Sequence, residues 1–402
     1  MKNNFYEYLK LFQIEDAEYN LIPITNSHIN DTYRVQDKNG VNRYIIQRIN
    51  SYVFPEPEKV MENIVLVTRH IQEKAKQSET LTLIPAKDGK SYVKVDEDYI
   101  RMYAFIEDGY SCDAVTSPEE FRQVAMAIAR FHKLLADIDI GGLHTTIPDF
   151  HNTPKRLDGF KRVVEQDPMK RAEKVKAEID FILKREPLAK AFEGKVINDI
   201  KLGEEHWVRK EENETDGIRL RVTHNDTKPA NIMLHKRTKE AMCMIDLDTV
   251  MPGVICDDFG DAIRSGTCKV KEETGVEKDC GENGARLKMQ VQESRCENCG
   301  GVNETEKGNT DKLQYFDVDL YNVFYEAFIE ECGDILTPME KEMLPVGAMK
   351  ITYEQALRFL EDYLKGDVYF KVSDEEQNLR RARVQMRLLQ DMECVLLKKT
   401  TY

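Results

Sequence analysis

The sequence has little of what marks membrane proteins and nucleic-acid-binding proteins. No stretch approaches 18 uninterrupted apolar residues, so we expect no transmembrane helix. Positive charge is in deficit, because 58 Lys and Arg residues face 72 Asp and Glu residues and the net charge is −14. Such a chain has no general attraction to phosphate backbones or anionic lipids. We therefore expect neither nucleic acid nor a membrane as a partner.

The cysteines and the first thirty residues both indicate the expected compartment. The nine cysteines are an odd number and are scattered rather than framed, which is typical of a reducing cytoplasm. The first thirty residues lack a basic segment followed by an apolar segment and a small-residue cleavage site. We expect a cytoplasmic protein and take it to be a monomer.

The 402 residues change in character from strand-like to helix-like. That length exceeds a typical single core, so two lobes are expected. Period-two and β-branched patterns predict strands at 21–49, 80–85, 91–95, 99–107, 218–223 and 241–247. Period-3.6 patterns predict helices at 57–76, 118–138, 170–192, 314–331, 338–364 and 375–398. The order predicts an α+β fold with a β-rich lobe over 1–106 and a mainly helical lobe over 107–402.

Residues 267–312 interrupt this order with a polar insert rich in Gly, Lys, Glu and Asn. Four cysteines lie in it, and "CENCGG" has the spacing of half a zinc knuckle at Cys296 and Cys299. The other half does not match, because eleven residues separate Cys268 from Cys280. We therefore expect a loop with free thiols rather than a structural zinc site.

The stretch "VTHNDTKPANIML" (222–234) concentrates polar groups between two predicted strands. Its spacing is His224-x-Asp226-x4-Asn231, with Lys228 two residues after the acid. A second acidic element, "MIDLDTV", follows the next strand and contains Asp246. Each part alone is typical of a turn, but the joint spacing is that of the phosphoryl-transfer template H-x-D-x4-N followed by a metal-binding Asp. The pattern favours a kinase-like site.

Each residue type in this pattern suits phosphoryl transfer. Asp226 would accept or orient the proton of the attacking hydroxyl. Asn231 and Asp246 offer the oxygen ligands that Mg²⁺ prefers when it shares the phosphates of ATP. Lys228 would add positive charge where the transferred phosphoryl group is most negative, and His224 would brace the loop.

Three segments, "HNDTKPANI", "IDLDTVMPG" and "DDFGDAIRSG", resemble the aminoglycoside phosphotransferase/choline kinase superfamily, and more narrowly bacterial N-acetylhexosamine 1-kinases. Further blocks at 27–35, 44–71 and 358–393 resemble the narrower group, so the similarity covers nearly the whole chain except the insert. The resemblance implies a bilobal protein-kinase-like fold. ATP and Mg²⁺ would lie between a nucleotide-binding N-lobe and a C-lobe that holds an acetamido sugar.

The resemblance also implies roles for single residues. Asp226 would be the base that acts on the anomeric hydroxyl, and Asn231 and Asp246 would be the magnesium ligands. The positions that contact the sugar in the family correspond here to His28, Arg358 and Tyr369, and Arg264 lies in the element that lines the same cleft.

The nucleotide side departs from the usual kinase pattern. The segment "TNSHINDTYRV" has no glycine to form a phosphate loop, so its backbone N–H groups would have to cradle the phosphates without one. The third strand places Gln47 or Arg48 where a basic residue is usual, and alternation lets only one of them face the cleft. Glu62 on the following helix is a candidate partner. The hinge is expected at "MYAFIED" (102–108), where Tyr103 and Phe105 would lie near adenine.

The predicted function is transfer of the γ-phosphoryl group of ATP to the anomeric hydroxyl of N-acetylglucosamine or N-acetylgalactosamine. A kinase of another small alcohol stays open, such as an aminoglycoside, choline or another amino alcohol, or another sugar. A non-catalytic nucleotide-binding pseudokinase is the remaining alternative. A cationic acceptor would need an acidic or aromatic cage, whereas the matched positions are His28, Arg358 and Tyr369, which favours a neutral polyol.

Overall fold

The N-terminal part of the chain is a β-sheet and the C-terminal part is mainly helical, so the predicted α+β fold class is confirmed. The computed structural model describes residues 2–24, 29–75, 79–112, 114–197, 200–202, 206–208, 216–272 and 315–397. The strands are β1 Tyr19–Pro23, β2 Asp31–Asp37, β3 Asn42–Ile49, β4 Val93–Val95, β5 Asp98–Ala104, β6 Gly109–Ser111, β7 Val196–Ile197, β8 Ile200–Leu202, β9 His206–Val208, β10 Ile218–Thr223, β11 Ile232–His235, β12 Ala241–Met244 and β13 Met251–Val254. The helices are α1 Lys2–Leu9, α2 Pro57–Lys74, α3 Pro118–Leu134, α4 Thr153–Gln166, α5 Lys176–Lys184, α6 Glu186–Ala189, α7 Ile255–Gly266, α8 Val318–Cys332, α9 Pro338–Lys365 and α10 Gln377–Leu396.

The N-terminal sheet is antiparallel, with strand order β1-β2-β3-β5-β4. Alternation gives it two different faces. On the outer face, Ile46, Ile100 and Met102 are fully buried and belong to one apolar cluster with Phe5 and Phe12 from the N-terminal segment. The opposite face contributes Ile49, Tyr99 and Tyr103 to the larger apolar core, and its Arg101 pairs with Asp248 of the C-terminal part. The sheet therefore packs against the N-terminal segment on one face and toward Asp248 on the other.

The segment 80–85 is predicted as a strand, but it does not form a regular one. This segment makes only an isolated bridge from Leu83 to Tyr103, next to the bridge from Ala86 to Phe12. Pro85 has no backbone N–H to donate to a ladder, which favours this irregular path. The segment still covers the edge of β5, since Ala104 N donates to Thr82 O at 2.9 Å.

Helices α7 and α9 cross so closely that glycine is required on both. A Cβ on Gly260 would lie 2.5 Å from the carbonyl oxygen of Gly347, and a Cβ on Gly347 would lie 2.2 Å from the carbonyl oxygen of Cys256. Both distances are far below van der Waals contact. The two backbones therefore touch directly, and this contact fixes α7 behind the loop that follows β10.

The predicted helix at 170–192 is interrupted in the structure. A 3₁₀ turn at Ala172–Val175 leads into α5, and α6 starts afresh with Pro187 in its first turn. A proline favours the start of a helix and breaks a continuing one. The predicted inner face is nevertheless buried, since Val175 and Ile182 are inaccessible and Ile179 nearly so.

The insert leaves and rejoins the fold at one place. Cys268 and Phe316 form an isolated antiparallel bridge, and Lys269 N donates to Tyr315 O at 2.9 Å. Cys268 itself is buried, with its Sγ 3.3 Å from Val270 O. The zinc and thiol predictions for Cys280, Cys296 and Cys299 lie outside the described residues. In the described ranges no helix is long and apolar enough to cross a membrane.

Candidate active site

One buried carboxylate holds the backbone of the loop between β10 and β11. Asp258, in the first turn of α7, accepts from His224 N and from Asn225 N at 2.7 Å each. Asn225 has a left-handed backbone with φ of 64°, and the two bonds hold it there. His132 lies 3.0 Å from the same carboxylate. Burial alone would raise the pKa of Asp258, but His132 and the loop donors outweigh it and lower the pKa.

His224 joins the loop to the next acidic element. It contacts the backbone N–H of Asp226 and not the Asp226 carboxylate. Its Nε2 is 2.9 Å from Ile245 O, and Asp226 N donates to its Nδ1 at 3.3 Å. The ring is fully buried. The structure therefore places His224 as a brace rather than at the surface of the site, and any direct role in chemistry stays a prediction.

Asp226, Lys228 and Asn231 come together as their spacing predicts. Lys228 Nζ and Asn231 Nδ2 donate to Asp226 Oδ2 at 2.8 Å and 2.9 Å. Burial opposes ionisation, but Lys228 first, and then His224 and Asn231, lower the pKa of Asp226 below its usual value. The hydrogen bonds from the described residues fall on Oδ2, which leaves Oδ1 of an ionised carboxylate for an incoming hydroxyl.

Asn231 and Asp246 are neighbours, since Ile245 N donates to Asn231 O at 2.8 Å. Asp246 has a left-handed backbone with φ of 62°. Desolvation by the surrounding protein, with Asp248 and Asp226 nearby, raises the pKa of Asp246 to about 6. A cation at this position would relieve the repulsion between these carboxylates.

The donor set fits magnesium shared with phosphates better than a metal caged by protein. Among the described residues, no three His, Cys, Asp or Glu side chains come close enough to hold an ion by themselves. An amide oxygen of Asn231 and a carboxylate oxygen of Asp246 are hard ligands, and Mg²⁺ usually takes only one or two carboxylates plus substrate phosphates. The roles of both residues as ligands stay predictions.

The structure separates the two candidates on β3. Gln47 pairs across the sheet with Thr32 and Arg101, and its side chain contacts both of them. Arg48 lies on the other face, where it pairs with Asp31 and Asp98. Of the two alternatives, Gln47 therefore lies on the face that carries Arg101, whose partner is Asp248, and its contact with ATP stays a prediction. Glu62 is not a partner of either residue, because its carboxylate contacts His144 Nε2 at 2.5 Å.

The predicted hinge follows β5. Tyr103 is buried, burial raises the pKa of its hydroxyl, and that hydroxyl has no hydrogen-bond partner among the described residues. Phe105 is half-buried, and its backbone N donates to Arg43 O at 2.9 Å. The Phe105 N–H is therefore already used within the sheet, and the contact of Tyr103 and Phe105 with adenine stays a prediction.

The sugar-site candidates are partly brought together. The Arg358 guanidinium lies 5.8 Å from the Tyr369 ring centre and 5.9 Å from that of Phe150. Tyr369 is 66% exposed, on a loop whose backbone N–H groups are held by Asp362. His28 lies outside the described residues.

Arg264 is nearly buried and bonds Asp261 Oδ1 at 2.9 Å. Burial alone would lower the pKa of Arg264, but Asp261 and Glu272 outweigh it and, with Asp226, raise the pKa. Arg264 therefore belongs to the electrostatic surroundings of Asp226, and its predicted place in the sugar site stays a prediction.

Two contacts of the site have no signal in the local sequence. Arg101 forms a buried ion pair with Asp248, two residues beyond Asp246. His151 connects the loop to α9, with its Nδ1 3.0 Å from Glu354 and its Nε2 3.3 Å from Asn225 O.

Comparison with known proteins finds one matching family and several similar structures. The profile of the phosphotransferase enzyme family, APH, matches residues 20–277. The structure is similar to an aminoglycoside phosphotransferase from Alicyclobacillus acidocaldarius subsp. acidocaldarius DSM 446, with a TM-score of 0.59 and 12% identity over 97% of this chain and 94% of that chain. It is similar to spectinomycin phosphotransferase in complex with ADP and spectinomycin, with a TM-score of 0.56 and 12% identity over 97% of both chains. For choline kinase from Cryptosporidium parvum Iowa II the TM-score is 0.54, at 12% identity over 99% of this chain and 96% of that chain.

Proposed function

This chain belongs to the phosphotransferase enzyme family, APH, and we propose that it is an ATP-dependent kinase that phosphorylates the anomeric hydroxyl of N-acetylhexosamines. The product would be the sugar 1-phosphate. Membership of the family shows that the chain is a phosphotransferase. The identity of the acceptor is the part of the proposal that rests on the site.

The observation that carries the proposal is the environment of Asp226. Its pKa is lowered, so the carboxylate is ionised at neutral pH, and one oxygen is held by Lys228 and Asn231. An ionised carboxylate with one oxygen left for the acceptor orients a hydroxyl and receives its proton as the phosphoryl group arrives. The Lys228 ammonium lies beside the Asp226 carboxylate, where negative charge would otherwise accumulate during the reaction.

The types of ligand atom on Asn231 and Asp246 support the proposed site for the nucleotide and its metal ion. Asn231 and Asp246 would hold Mg²⁺, and the ion would draw charge from the phosphates. The protein provides the left-handed turn at Asp246 and the bond from Ile245 N to Asn231 O, which keep the two ligands side by side.

The acceptor side favours a neutral, hydroxyl-rich molecule. Arg358 lies among the rings of Phe150 and Tyr369, and Arg156 is close enough that Arg358, after burial, lowers the pKa of Arg156. Two neighbouring guanidinium groups repel a quaternary ammonium or a polyamine. Arg156 donates to Phe150 O, so Arg358 is the one that offers donors to hydroxyl and N-acetyl oxygens. An exposed tyrosine ring suits stacking on a sugar face. This arrangement supports an acetamido sugar over choline or an aminoglycoside.

The acceptor is tested with a panel of N-acetylhexosamines, other sugars, amino alcohols and aminoglycosides with Mg-ATP, with the phosphorylated position read by phosphorus NMR. We expect an anomeric phosphate from N-acetylglucosamine or N-acetylgalactosamine. Phosphorylation of an amino alcohol or aminoglycoside in preference to these sugars would replace the acceptor. Nucleotide binding with no turnover of any acceptor would instead favour the pseudokinase.

The role of Asp226 is tested with Asp226→Asn, which keeps the shape and removes the base. We expect kcat to fall by about a hundred- to ten-thousandfold, the range that a general base contributes, with an unchanged melting temperature. Asp16→Asn, on the exposed surface before β1, is the matched control and should keep wild-type turnover. Undiminished turnover in Asp226→Asn would remove this residue from the mechanism.

A further inference from the structure

Strand β3 lacks the lysine that protein kinases place against the nucleotide phosphates. Its residue on the face toward Asp248 is Gln47, which is uncharged. Gln47 is the direct cross-strand partner of Arg101 on β5, and direct partners in a sheet project side by side on the same face. A cation therefore stands one strand away from the position where a kinase lysine is expected.

The contacts of Arg101 hold its guanidinium at the acidic loop. Nε donates to Gln47 Oε1 at 2.9 Å, and Nη1 forms the ion pair with Asp248. Arg101 is only 1% exposed, and an arginine is rarely so enclosed without a charged partner. Asp248 in turn accepts from Asn30 Nδ2 at 2.6 Å. The charge is thus fixed beside Asp246 and next to the end of the β1–β2 connection.

These contacts account for two of the three guanidinium nitrogens, Nε and Nη1, and none of the hydrogen bonds among the described residues falls on Nη2. The Tyr103 hydroxyl is buried without a hydrogen-bond partner among those residues, although nearly all buried polar groups find one. The Arg101 guanidinium lies 5.3 Å from the Tyr103 ring centre. One guanidinium nitrogen and one hydroxyl on this face of β5 are therefore left for a ligand.

We propose that Arg101 is the phosphate-binding cation of this protein, taking on β5 the part that a lysine takes on β3 in protein kinases, with Gln47 as its positioning residue. The inference rests on the proposed nucleotide binding. A guanidinium binds phosphate oxygens through parallel N–H donors and stays charged at any physiological pH, so it replaces an ammonium without loss of charge. Asp248 holds the group in place.

The test measures nucleotide binding by calorimetry, without acceptor, using Mg²⁺ with a non-hydrolysable ATP analogue and, separately, adenosine. Arg101→Gln should weaken the ATP analogue by about ten- to a hundredfold, the worth of hydrogen bonds to a charged group, and leave adenosine within about twofold. Arg48→Gln, on the opposite face of the sheet, is the matched control and should bind both like the wild type.

The double variant Gln47→Lys/Arg101→Gln moves the charge back to β3 and keeps a cation for Asp248. We expect it to recover most of the lost affinity for the ATP analogue. Unchanged affinity in Arg101→Gln, an equal loss for adenosine, or a folded double variant that binds the analogue weakly would each overturn the proposal. If Arg101→Gln does not fold, the double variant decides alone. A wild-type protein that binds no nucleotide would overturn the proposed function instead, whereas a negative acceptor panel leaves this result standing.

Discussion

At the scale of single residues, the contacts of His151 predict that its ring is positively charged. Its two ring nitrogens face Glu354 Oε1 and Asn225 O, and only an imidazolium donates to two acceptors at once. Burial alone would lower the pKa of His151, but Glu354 outweighs it and raises the pKa above its usual value. Asp257 adds to this effect and Lys350 opposes it.

The pH dependence of stability follows from this direction. A group whose pKa is raised on folding stabilises the protein fully below its unfolded pKa of about 6.5, and the stabilisation is lost as the pH rises through the folded value. We expect His151→Gln to lower the free energy of unfolding by about 1–3 kcal/mol at pH 6, and by less at pH 9. Urea unfolding of both proteins at several pH values measures this. A difference that does not shrink toward high pH would contradict the charged His151.

Arg358 gives a second prediction at this scale. It lies among Phe150, Phe370 and Tyr369 rather than in a carboxylate pair, so its donors are available to an acceptor. We expect Arg358→Ala to raise the KM for the acceptor by about tenfold or more while the KM for ATP stays unchanged. Arg380→Ala, which removes an exposed pair with Asp374 at the start of α10, is the control and should leave both constants unchanged. A rise in the KM for ATP of equal size would place Arg358 elsewhere in the mechanism.

At the scale of elements, the crossing of α7 and α9 depends on glycine. Gly347→Ala would place its Cβ 2.2 Å from Cys256 O, a backbone atom that no rotamer change can move. We expect a loss of about 1–3 kcal/mol or more in the free energy of unfolding. Gly159→Ala in α4 is the matched control, since the nearest atom to its Cβ is 3.6 Å away. That variant should gain roughly 0.5–1 kcal/mol because alanine favours a helix, and equal effects in both variants would refute the close-contact argument.

Elements whose boundaries are set by local chemistry were predictable, and those set by tertiary contacts were not. The strand predicted at 42–49 and the helix predicted at 118–138 follow from local patterns, and the structure has them at Asn42–Ile49 and Pro118–Leu134. Helix α4 was missed although Asn152 caps it, because its apolar residues are few and its burial comes from α9.

The same division applies to the site. Asp226 and Asn231 are close in sequence, and their spacing is enough to place them together. Arg101 and Asp248 are separated by 147 positions, and His151 and Glu354 by 203. No local pattern carries information about such pairs, because the contact is created by the packing of β5 on the acidic loop and of α4 on α9.

At the scale of the whole molecule, the described residues at the two ends of the insert pair with each other. The backbone of 267–269 pairs with that of 315–317, through Lys269 N to Tyr315 O and Asp317 N to Thr267 O. Glu272 contacts Arg264 and Gln385, so it belongs to the described fold and must be kept. Replacing residues 274–313 with a short Gly-Ser linker joins two segments whose backbones already pair at Cys268 and Phe316.

The cost of closing a loop changes by about 0.6 kcal/mol for each doubling of its length, so this shortening should raise the free energy of unfolding by only about 1–2 kcal/mol. We expect the shortened protein to keep its melting temperature within about 4 °C and to keep nucleotide affinity, as calorimetry and thermal unfolding would measure. A matched variant that also carries Glu272→Ala should lose more stability, because it removes an ion-pair partner of the nearly buried Arg264. If the shortened protein alone unfolds or no longer binds nucleotide, the insert contributes to the core or to the cleft, and the lobes cannot be described without it.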